Sequence, residues 1–376
     1  MTPSPAFKVI VVVVIAAFAI ALGSFVVGDF AFFGAGKGSM WVSENEGITW
    51  SEVAPAKGIS SLASLFAFTT STPLQMEPFL LIGSSRQGLI FAHSFVHQNQ
   101  FAAVSAPFVS GERVRIYDID QSRQHPHDFF LAVFEDGLGK IVKWTKPIIQ
   151  RDPALPAGRS EVLPELPGTT QTLYTAALRD YGMFAVRVDP ANDRHLWAGG
   201  GDGLLVESNN GGATWTTSAR FREGIRHIIG HPVLASRMWI LGSRGTFLTT
   251  TNGGATWTKL NKGLSAAKAG DIHQLFYDVA NDQLIAGTDR GVIRSRDNGL
   301  SWELLPVTIP PSALPVRGVA FHPRDAQTLV ISAANLVYKS KDGGFSWDRN
   351  LIPQKTIIHN LFFSPKPPYP LYATVD

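Results

Sequence analysis

The sequence predicts an all-β chain, a seven-bladed β-propeller closed by pairing its N- and C-terminal strands and preceded by one N-terminal transmembrane helix. Three observations predict it. An eight-residue pattern, Ser/Thr-x-Asp/Asn-x-Gly-x-Ser/Thr-Trp, occurs five times, at 43–50, 208–215, 250–257, 295–302 and 340–347. The last four of its tryptophans are spaced by 42, 45 and 45 residues, the length of one four-stranded blade. The 35 glycines and 24 prolines are dispersed along the 376 residues, which calls for many tight turns between short strands.

Each repeat reads alike. A first strand such as 225–230 or 316–321 ends at His-Pro, a second follows as at 284–287, and a third as at 292–295. The motif then makes the hairpin into a fourth strand led by its tryptophan. Four regular units arise this way. Two more lack the motif but keep the strand pattern, one from 62–68, 79–83 and 89–93, the other from 114–120, 129–134 and 138–144. The seventh is split between the chain ends. Residues 357–363 and 371–376 supply a first and second strand, and 39–43 and 49–54 a third and fourth. Pairing them removes open sheet edges. The propeller thus spans 38–376, interrupted by a Pro-rich stretch, 145–180, about twenty residues longer than the other connections. Such a connection is either functional or a flexible excursion.

Inside the motif, Asn45, Asn210, Asn252, Asp297 and Asp342 are placed to hydrogen-bond turn backbone, and the glycine two positions on permits φ > 0. Trp50, Trp215, Trp257, Trp302 and Trp347 carry a large face to bury between blades. These repeated residues are read as structural, not catalytic.

The N-terminus reads differently. After Lys8, residues 9–27 hold 19 positions without a charge, spanning about 28 Å as a helix against a hydrocarbon core of roughly 30 Å. This reads as a retained anchor, with 1–8 in the cytoplasm and the propeller in the periplasm or outside, because Lys8 precedes the span and Asp29 follows it. Ala21-Leu22-Gly23 offers a signal-cleavage site as the alternative. The chain has no cysteine, so disulfides, thiolate metal sites and a cysteine nucleophile are excluded. A net charge of +3 gives no argument for nucleic acid. No cofactor, metal or small-molecule substrate is expected, and no Walker loop, HExxH or GxSxG is present.

The five motifs resemble the Asp-box, or bacterial-neuraminidase repeat, of sialidases, sortilin-type receptors, xyloglucanases and photosystem II assembly factors. A sialidase-like activity would imply an early Arg-Ile-Pro segment, an arginine cluster and a Tyr nucleophile. The nearest stretch, Arg115-Ile116-Tyr117-Asp118, lacks the proline. A glycosidase would need two convergent acids, for which Asp118, Asp120, Asp271, Asp278 and Asp289 are available. A single propeller behind a membrane or export segment is closest in form to the photosystem II assembly and stability factors. That likeness implies a protein-binding, non-enzymatic module whose partner is an integral membrane complex, a photosynthetic one in that group. The alternative is an exported carbohydrate-active enzyme or glycan binder.

One set of residues stands apart from the resemblance. Six positions before the residue closing each first strand stand Arg226, His273, Arg317 and His359, with Arg115 if Gln121 closes its strand; Phe184 and Ala63 are the exceptions. First strands are innermost in a propeller, so these residues ring one channel mouth as a cationic funnel suited to carboxylates. In the alternative reading each pairs with a local acid. Turns opening on the same face add Arg86, Arg244 and Arg290, among Glu135, Asp136, Asp202 and Asp289, as the rim of an interface.

Overall fold

The structure is a computed structural model, and it describes residues 39–53, 64–68, 79–84, 88–93, 101–102, 114–145, 168–279, 281–353, 357–363 and 369–375. The anchor expected at 9–27 lies outside these residues. Among the described residues no helix is long and apolar enough to cross a membrane. The chain divides into two units, 1–34 and 35–376, and all described residues belong to the second.

Six four-stranded antiparallel sheets are each built from consecutive strands. The first of them holds β3 (Ser64–Phe68), β4 (Phe79–Ser84), β5 (Gly88–His93) and β6 (Phe101–Ala102). Next come β7 (Arg115–Gln121), β8 (Asp128–Glu135), β9 (Leu138–Thr145) and β10 (Thr169–Thr175). The third runs through β11 (Met183–Val188), β12 (Leu196–Gly200), β13 (Leu204–Ser208) and β14 (Thr216–Arg220). The fourth has β15 (Ile225–Gly230), β16 (Met238–Gly242), β17 (Phe247–Thr250) and β18 (Thr258–Lys259). The fifth has β19 (Ile272–Asp278), β20 (Gln283–Thr288), β21 (Gly291–Ser295) and β22 (Glu303–Leu304). The sixth has β23 (Val316–Phe321), β24 (Leu329–Ala333), β25 (Leu336–Ser340) and β26 (Asp348–Leu351). A further sheet joins the chain ends: β1 (Ser39–Ser43) and β2 (Ser51–Val53) pair with β28 (Leu371–Val375) and β27 (Ile358–Phe363) in the order β2-β1-β28-β27. This architecture is that of a β-propeller.

The burial pattern explains the layering. Second strands are buried along their whole length, as in β12, β16, β20, β24 and β28, because neighbouring sheets cover both faces. Fourth strands such as β14, β18 and β22 are exposed. One expectation needs correcting here. The stretch 145–180 is not solely a connection: it contains β10, the fourth strand of its sheet, paired with β9 through Thr169 opposite Thr145. A short helix, α1 (Asn261–Ala266), also occupies the connection between the fourth and fifth sheets, burying Leu264.

The repeated motif forms one hydrogen-bonded turn. In the copy at 295–302, Ser295 Oγ donates to Asp297 Oδ1 at 2.8 Å and accepts from Gly299 N at 2.7 Å. Asp297 Oδ1 accepts from Ser301 N at 2.8 Å, and Trp302 Nε1 donates to the Gly299 carbonyl at 3.1 Å. Gly299 has φ +94°, which only glycine adopts without strain. Asn45, Asn210, Asn252 and Asp342 occupy the same place in their turns. Trp50, Trp215 and Trp347 also donate to their own glycine carbonyl at 3.1 Å.

Trp257 differs, because its Nε1 is buried without a partner. The tryptophans also reach the preceding sheet: Trp215 Nε1 donates to Leu173 O at 2.9 Å, and Trp257 meets Phe221 edge to face at 5.9 Å.

Candidate functional site

One feature repeats at the start of six first strands. Their pairing with the second strand skips a single residue, a β-bulge between Ile116 and Asp118, Met183 and Ala185, Ile225 and His227, Ile272 and Gln274, Val316 and Gly318, and Ile358 and Asn360. The bulged residues are Tyr117, Phe184, Arg226, His273, Arg317 and His359. A bulge bends its strand and re-aims one side chain, and such bulges concentrate at rims and sites. The strand β3 pairs with β4 without a break.

Four of the residues expected at the channel mouth thus occupy the same structural position on four consecutive sheets. Arg115 does not. It sits in regular pairing opposite Phe134, and Tyr117 takes the bulge. The reason is the closing turn: the other bulges lie six residues before their closing residue, and the same count from Tyr117 reaches Arg123, where no proline marks the place.

Arg226 and His273 have defined partners. The Arg226 guanidinium donates from Nη2 to the carbonyl of Ile272 at the start of the next first strand. Burial lowers its pKa, while the carboxylates of Asp271 and Glu223 beside it act the other way. His273 Nε2 lies 2.7 Å from Asp289 Oδ1, and Asp289 Oδ2 accepts from Asp271 N at 2.9 Å. Burial acts to raise Asp289, but the Asp271 N–H and His273 outweigh it and hold the carboxyl below its usual value. At these two positions an arginine and an imidazole are held in place by neighbouring groups, Arg226 with Asp271 and Glu223 near it and His273 on Asp289.

Arg244 and Arg290 are exposed in the turns after β16 and β20. Both turns lie at the bulge end, since Gly242 pairs with Ile225 and Thr288 with Ile272. The Arg244 N–H donates to the Glu223 carboxylate, which tethers that rim turn. Arg86 lies outside the described residues.

The acids considered for glycosidase chemistry make the following contacts. Asp118 Oδ2 accepts from Val186 N at 3.0 Å and Asp120 Oδ2 from Val188 N at 2.8 Å, so two side chains of β7 pair with the inner edge of β11. Gln274 does the same for Val319 N at 2.7 Å. These contacts satisfy backbone donors that an inner-edge strand otherwise leaves open. Burial pushes the Asp118 carboxyl up to about 7 against its two backbone N–H donors. Arg187 Nη1 pairs with Asp120 at 3.3 Å. Asp278 takes Asn281 Nδ2 at 2.7 Å and Gln283 Nε2 at 2.8 Å, in the turn between β19 and β20 at the other end of the strand. Among the described residues no group of three or more His, Asp or Glu side chains is arranged to hold a metal.

Fold and repeat together define the class: an Asp-box β-propeller, resembling the photosystem II assembly factors. More particularly, residues 233–365 match the family described as "Photosynthesis system II assembly factor YCF48". A solved structure described as "YCF48 bound to D1 peptide" superposes with a TM-score of 0.56 at 12% identity, covering 83% of this chain and 97% of that one. An ancestral GH74 enzyme gives 0.49 at 16% identity, covering 66% of this chain, which spans 33% of the enzyme. The GH74 enzyme of Niastella koreensis gives 0.41 at 14%, with 89% of this chain and 51% of that one covered. At these identities the likeness is one of fold. No curated protein matches the sequence.

Proposed function

We propose that this chain is a membrane-anchored, protein-binding propeller that serves as an accessory or assembly subunit of a membrane protein complex, a photosynthetic one by its resemblance, and that it performs no chemistry of its own. The observation that carries the reading is the run of Arg226, His273, Arg317 and His359 on identical bulges of four consecutive sheets. Arginine forks and imidazoles held at one end of a rigid scaffold suit carboxylates on a polypeptide. The match of 233–365 to the assembly-factor family supports it, as does a fold neighbour described with a bound peptide.

The reading includes a closed ring of seven blades. Contacts of β3 with both β7 and β27 support closure, together with the terminal sheet. It also includes residues 9–27 as the retained anchor, which leaves the propeller in the periplasm or outside and raises its effective concentration near a membrane partner.

The test is gentle detergent extraction followed by mass spectrometry of what co-purifies. Stoichiometric recovery with one membrane complex, with the 9–27 peptide still attached, is expected. Recovery of the protein alone, with a mature start after residue 23, would overturn the docking reading and its anchor.

A further inference from the structure

The six bulged residues fall into two arcs. Tyr117 and Phe184 stand on consecutive sheets, and Arg226, His273, Arg317 and His359 on the next four. The aromatic pair is ordered in advance: its rings meet edge to face, centroids 4.7 Å apart and planes at 80°. Phe184 is only 6% exposed. It fits because Gly182 and Gly201 flank it, and a Cβ on either would come closer than 3.0 Å to its ring. Tyr117, half-buried, lies against that ring from the preceding sheet. Side chains already fixed in place lose little freedom when a partner arrives.

The sheet that follows Phe184 carries Arg226, whose guanidinium is itself fixed by the Ile272 carbonyl. Equivalent positions on three successive sheets thus carry two aromatic rings and then a planar donor group, and that order has a chemical complement. Resting on the protein-binding reading above, we propose that the channel mouth takes an acidic peptide segment bearing a large apolar or aromatic side chain next to its carboxylates, and that Tyr117 sets the apolar part of this preference. Carboxylates lie toward the arginine and histidine arc, and the apolar side chain packs on Tyr117. An aromatic contact of this kind adds selectivity that charge alone does not supply.

The experiment pans the full-length protein against a phage-displayed library of random dodecapeptides. Enriched sequences are expected to carry Asp or Glu within about two residues of Phe, Tyr, Trp or Leu. For a selected peptide, Tyr117→Ala should weaken binding about tenfold, and should erase the difference between that peptide and its own aromatic-to-Ala version. Enrichment without the acidic-apolar pairing, no enrichment, or unchanged affinity in Tyr117→Ala would each overturn the proposal.

Should Tyr117→Ala fail to fold, Arg317→Glu is panned instead. It is expected to lose acidic residues from the enriched set while keeping aromatic ones, and an unchanged set overturns the two-arc division. Recovery of a membrane complex without peptide enrichment would defeat this preference alone, whereas failure to recover any complex would defeat the docking reading beneath it.

Discussion

Asp118 shows how one carboxyl serves the fold at a cost that depends on pH. Burial, with Asp120 two residues away, raises its pKa from 3.8 to about 7, and Arg187 and two backbone N–H groups offset this only in part. The folded chain therefore holds this proton more tightly than the unfolded one. The group's contribution is most favourable below about pH 4, declines as pH rises to about 7, and is level above that. Asp118→Asn removes the titration, so the wild-type melting temperature should fall relative to the variant's between about pH 5 and pH 7. Parallel slopes in thermal melts of the two proteins would contradict the burial argument.

A second contrast sits in the motif tryptophans. Trp302→Phe deprives the Gly299 carbonyl of its donor, whereas Trp257→Phe removes an Nε1 that has no partner. Denaturant unfolding should show Trp302→Phe costing more, by about 1 kcal/mol, while Trp257→Ala, a large core deletion, should cost about 3–5 kcal/mol.

Between elements, stability depends on side chains that cross from one sheet to the next. Lys339, 4% exposed on β25, reaches the Glu46 carboxylate in the terminal motif. Arg294, at the same place in β21, donates to the Gly343 carbonyl at 3.1 Å in the following motif. Removing Glu46 strands a buried ammonium, so Glu46→Ala should cost about 3–5 kcal/mol. Lys339→Met, which takes away the buried charge itself, should cost less. Equal losses in urea unfolding would show that the pair is solvated.

These elements also show what the sequence makes legible. The motif turns are visible because each needs a fixed set of side chains at fixed spacing. Strand β10 was not visible: it reads Thr-Thr-Gln-Thr-Leu-Tyr-Thr and is mostly exposed at the outer edge, so no alternation marks it. The bulges at Arg226, His273, Arg317 and His359 could be aligned by their closing residues. Tyr117 could not, because neither a proline nor a stretch like the Asp-x-Ala-Asn-Asp that aligns Val279 with Pro190 marks Arg123. The counter-ions Glu223 and Asp271 were hidden for another reason, since only the turn geometry brings them beside Arg226.

For the whole molecule, the terminal sheet is the point on which the ring reading turns. The register Ser39↔Val375 through Ser43↔Leu371 seats β1 against β28, and Trp41 lies in the same apolar cluster as Leu361, Leu371 and Ala373. Strand β28 is buried throughout and has β27 on its other side. Without β1 and β2 it would present a hydrophobic, unpaired edge, a template for aggregation. Deleting residues 35–53 should therefore abolish a single cooperative thermal transition and drive the protein to large species on size-exclusion chromatography. Deleting 1–34 alone, which leaves the compact unit 35–376 whole, should preserve both. A synthetic peptide of residues 39–53 supplied during refolding should restore the transition to the longer deletion, because the missing pairing is a backbone ladder that a separate strand can supply. If the chain lacking 35–53 melts as one unit and stays monomeric, the remaining sheets hold together by themselves. The chain ends then decorate the propeller rather than close it.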